Sequence, residues 1–80
     1  MSTSDPRPAL QSILRLCSEG HLPAKVRDWA ASALNTAAAI YRTMEAMENN
    51  GVEVPTPGQA RALGNIDHAA RAWLKKSHRE

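Results

Sequence analysis

Residues 49–58 read NNGVEVPTPG, and this stretch decides the fold. Asn49, Asn50 and Gly51 are a helix stop, because glycine takes positive φ without a Cβ penalty. Val52 to Val54 look extended, and Thr56 is an N-cap followed by Pro57, whose missing N–H is not needed in a first helical turn. One helix therefore ends here and another starts a few residues later. Upstream, EGHLPA at residues 19–24 carries the same punctuation, with Gly20 as a C-cap and Pro23 in the first turn of the next helix. Together the two marks predict helices over about 8–19, 24–49 and 57–78. No run alternates at period two long enough to be a strand, and there is no internal repeat. The fold class is all-α: a long antiparallel hairpin, 24–49 with 57–78, plus a short N-terminal helix. Residues 1–80 read as one helical domain, with 1–7 as a flexible N-terminal arm.

At about 100° per residue, each helix shows the face it needs to bury. The first offers Leu10, Ile13, Leu14 and Cys17, and the third offers Leu63, Ile66, Ala70, Trp73 and Leu74. The second is broader: Val26, Trp29, Ala33, Ala37, Ile40, Met44 and Met47 make one stripe, widened by Ala30, Leu34, Ala38 and Tyr41. It has two neighbours to satisfy. At 1.5 Å per residue the helices measure about 18, 39 and 33 Å, so the first is expected not to reach far beyond Leu34 or Ala38. Leu34, Tyr41, Met44 and Met47 then become the expected protein-binding residues, with apolar surface left over at that end. Trp29 and Trp73 are expected to pack as core where the second helix starts and the third ends.

Composition narrows the class. Apolar residues make up 42% of 80 residues, and 14 alanines carry much of that count, which favours close-packed helices but a small core. Oligomerisation or a partner would help such a chain. A single cysteine excludes an intramolecular disulfide framework, and MSTSDPRPAL does not resemble a secretory signal, so a cytoplasmic location is expected. The longest uncharged run, WAASALNTAAAIY at residues 29–41, is too short and too polar for a membrane span. Arginine exceeds lysine by seven to three, a bias associated with bacterial or phage genomes of high GC content.

The net charge of +2 is concentrated in residues 57–80, which carry +3. Arg61, His68, Arg71, Lys75 and Arg79 share one face of the third helix and could grip a phosphate backbone. The same residues also fit an ordinary solvated face, and cations in a last turn complement the helix dipole. No base-reading polar set stands beside them. Cys17 with His21, or His68 with His78, lacks the third and fourth ligands zinc needs, so no metal and no cofactor are expected. Asp67 and His68 are sequence neighbours that diverge around a helix, Glu45 and Glu48 fit a solvated face, and no catalytic constellation emerges. The sequence thus points to a small non-enzymatic regulator, inhibitor or adaptor that binds another protein through an apolar helical face, as a homodimer. Nucleic-acid binding by the third helix is the alternative.

Overall fold

A computed structural model describes residues 5–77. It comprises three helices: α1 at Arg7–Ser18, α2 at Ala24–Asn49 and α3 at Pro57–Ser77. Residues 1–4 of the expected arm and 78–80, including His78 and Arg79, lie outside the described residues.

Both helix stops are built by glycine in the left-handed region. At Gly20 (φ 84°), the Gly20 N–H donates to the Cys17 carbonyl and the His21 N–H to that of Leu16. At Gly51 (φ 81°), the Gly51 and Val52 N–H groups donate to Glu48 and Met47. These are paired Schellman closures, in which the residue after the glycine doubles back on the last turn. α3 opens with a reciprocal capping box. The Gln59 N–H donates to Thr56 Oγ1 (3.2 Å), and the Thr56 N–H donates to Gln59 Oε1 (2.8 Å). Gln59 Nε2 also lies 3.3 Å from Met47 Sδ and ties the start of α3 to the end of α2. Pro23 is the N-cap of α2, one residue before the position expected for it.

The central cluster is Leu10 and Ile13 of α1, Val26, Ala30 and Ala33 of α2, and Ala70 of α3, and Ala37 and Leu63 are buried as well. Leu14, Cys17, Leu34, Ile66, Leu74 and both tryptophans pack around it, half-buried. Alanines on α2 let α1 approach closely, and α1 on α2 is the most extensive helix pairing, ahead of α2 with α3. No charged or polar side chain is buried among the described residues. The molecule measures 46 × 20 × 15 Å, so α2 keeps a full face toward solvent although both other helices pack on it.

α1 also reaches further along α2 than its length predicts. Pro6 is buried, and the Asp5 carboxylate accepts from the Arg7 backbone N–H (2.9 Å) and side chain (2.7 Å from Nη2). The Arg7 guanidinium, held by that fork, stands over the Tyr41 ring at 4.1 Å from its centroid. A long cationic side chain thus covers the aromatic ring that the helix backbone stops short of.

Candidate functional site

The residues singled out in the sequence fall into two groups. Leu34 packs against the core, Tyr41 lies beneath Arg7, Met47 meets Gln59, and Met44 is half-buried. The apolar surface expected at that end is therefore largely covered from within. Val52, 44% exposed, is the one exposed large apolar side chain among the described residues. Around Tyr41 the charges alternate. Hydrogen bonding to Arg7 holds the Asp5 carboxyl below the usual carboxylate range, while burial raises the phenol of Tyr41, with Asp5 adding to the effect. Asp67, half-buried, accepts from Arg71 Nε at 2.9 Å. The contact of Arg7 with Tyr41 joins the start of α1 to the middle of α2.

Arg61, His68, Arg71 and Lys75 are all exposed on one side of α3, and Arg79 lies outside the described residues. Arg71 is engaged by Asp67, while Lys76 leans over the Trp73 ring at 4.9 Å from its centroid. Near the end of α3 an open groove of about 440 Å³ is lined by Ser12, Arg15, Leu16, His21, Leu74 and Ser77. The Ser77 hydroxyl donates to the Leu74 carbonyl, and His21 faces Glu19 at 3.7 Å. Among the described residues no hydrogen bond joins His21 to a serine. No group of three or more potential metal ligands occurs among the described residues, and no helix there is long and apolar enough to cross a membrane.

The face with most left to explain is the outer side of α2, opposite the buried line Val26, Ala30, Ala33 and Ala37. Ala31, Ser32, Asn35, Thr36 and Ala39 are exposed and uncharged, so the solvent side of about three turns carries no ion. On its flank a groove of about 350 Å³ runs between Thr36, Ala39, Ile40, Thr43 and Gln59. Charges flank this bare stretch in an order that opposes the helix dipole. Lys25 and Arg27 occupy the first turn, where there is no acidic residue, and Glu48 the last turn, where there is no basic one. Each such placement costs about 0.3–1 kcal/mol at low ionic strength. The uncharged run and the apolar stripe opposite this face are both visible in the sequence, and the packing of α1 and α3 on that stripe leaves the other side to water. The chain matches no known protein family, no curated protein and no solved structure.

Proposed function

We propose that the protein is a small non-enzymatic interaction module, a regulator or adaptor, that works by presenting the outer face of α2 to a helix of a protein. The observation that carries this reading is the charge layout of α2, which weakens the isolated helix and leaves bare turns exposed between its charged ends. Ordinary surfaces are about 25–35% charged, and the solvent side of these three turns has no charge at all. Small side chains there let a second helix come close, and the groove beside Ile40 gives it a recess.

The test is capture of partners from nuclease-treated lysate by the wild type, Ala39→Glu and Arg61→Glu/Lys75→Glu. A protein retained by the wild type and the basic-face variant but lost by Ala39→Glu supports the reading. Arg61 and Lys75 have no acidic partner among the described residues, and this observation favours the nucleic-acid alternative. Recovery that depends on those two residues and vanishes with nuclease would establish that alternative instead.

A further inference from the structure

The charges on α2 are complementary to those of the same helix reversed. Asp28 and Arg42 lie on the midline of the exposed face, equally spaced on either side of Asn35. Turning a second α2 about a twofold axis at Asn35 places Asp28 opposite Arg42 of the second copy, twice by symmetry. On one flank of the face, Arg27 comes within about 3 Å of axial register with Glu45 of the second copy, again twice. A parallel pairing would instead set Asp28 against Asp28 and Arg42 against Arg42. Within one chain Asp28 and Arg42 are about 21 Å apart and cannot satisfy each other. The ion pair that Asp28 does make, with Arg27 at 3.8 Å, joins two sequence neighbours that are 60% and 80% exposed.

From this we infer that α2 pairs antiparallel with α2 of a second copy of the chain. Ala31 then faces Ala39 of the other copy, and helices with alanine at the contact can approach to about 8 Å between axes, the lower end of the usual range. Asn35 meets its own copy on the axis, where two amides can exchange hydrogen bonds. A polar residue at a helix–helix seam selects register in this way. The inference rests on the α2 face being the working surface, and it names that surface's occupant.

Sedimentation at low salt, from micromolar to millimolar protein, tests it on the full chain. The wild type is expected to dimerise reversibly. Asp28→Arg alone and Arg42→Asp alone each raise the dimer dissociation constant about tenfold or more, since like charges then meet twice per dimer. The double exchange Asp28→Arg/Arg42→Asp restores it, which only contact between copies can do over that distance. Far-UV circular dichroism confirms that each variant stays helical. As a second measurement, Asn35→Cys in a Cys17→Ser background should oxidise to a covalent dimer, because the two sulfurs meet at the axis. A chain that stays monomeric throughout overturns self-pairing, and so does a dimer indifferent to the reversals. Neither result touches capture of another protein by the same face, which fails separately if Ala39→Glu leaves that capture intact.

Discussion

Leu10→Ala is the sharpest probe of what holds the bundle together. Leu10 is fully buried, and the cluster it belongs to is mostly Ile13, Val26 and the alanines Ala30, Ala33 and Ala70. Removing a buried leucine side chain costs about 2–5 kcal/mol, and the position in that range depends on how far the surroundings collapse. Alanines have no rotamer with which to fill a hole, so the loss belongs in the upper half, about 3–5 kcal/mol. A domain of this length has about 4–12 kcal/mol in all, and one small core rarely supplies more than about 3–5. The variant is therefore expected to lose a large part of its stability at 25 °C. α1 has 12 residues, too few to be stable as an isolated helix, so its undocking and the loss of the Arg7 cover on Tyr41 should coincide. Urea titration followed by circular dichroism and by the fluorescence of Trp29 and Trp73 measures this. Leu16→Ala, half-buried at the groove, is the control and should cost under about 1.5 kcal/mol. A Leu10→Ala cost no larger than that of Leu16→Ala would refute the placement of Leu10 at the centre of the core.

Gly64 lies inside α3, where an added Cβ meets nothing within 4 Å, so Gly64→Ala should stabilise by about 1 kcal/mol. Thermal denaturation would register that as a rise of about 6 °C in Tm. Asp5 has a lowered carboxyl pKa, so its contribution to stability is present above the unfolded value and lost as pH falls below about 4. Asp5→Asn should remove that part of the acid dependence, seen as a flatter plot of stability against pH on the acid side. Arg27→Glu puts a favourable charge at the start of α2 and should stabilise the isolated chain by about 0.5–1 kcal/mol, while setting like charges against Glu45 of a second copy. Urea midpoints at low protein concentration and sedimentation at high concentration should therefore move in opposite senses.

Much of the fold is local chemistry and could be read without coordinates. Gly20, Gly51 and the Thr56 N-cap set boundaries that the helices follow to within a residue or two. The stripes on α1 and α3 likewise name side chains that are buried or half-buried, because helical periodicity is independent of the partner. The arrangement at Tyr41 is harder to read. A helix length counts backbone rise, and the covering group is a guanidinium steered by Asp5, a contact across 34 positions that no local pattern encodes. On α2 the apolar stripe read from the sequence contains all four buried residues, Val26, Ala30, Ala33 and Ala37, but residues 29–41 are uncharged all round, so no charge marks the outer edge of the stripe and the width left open follows from the seats of α1 and α3.

The same seats explain why α2 is the element to watch. A bundle only 15–20 Å across cannot enclose a central helix, and one side of α2 stays in water whatever the other helices do. A surface of that kind would ordinarily gain from an acid at its start and a base at its end, each worth a few tenths of a kcal/mol or more. α2 has Lys25 and Arg27 at its start and Glu48 at its end, and it lacks a side-chain hydrogen bond at its N-cap as well. Favourable dipole charge has been forgone at both termini of the longest element, in a domain with little to spare. Antiparallel association reverses the balance, since the dipole of a second α2 brings its negative end beside Lys25 and Arg27 and its positive end beside Glu48. The placement that weakens one helix alone thereby strengthens two together, and it gives self-association and monomer stability opposite dependences on the same charges.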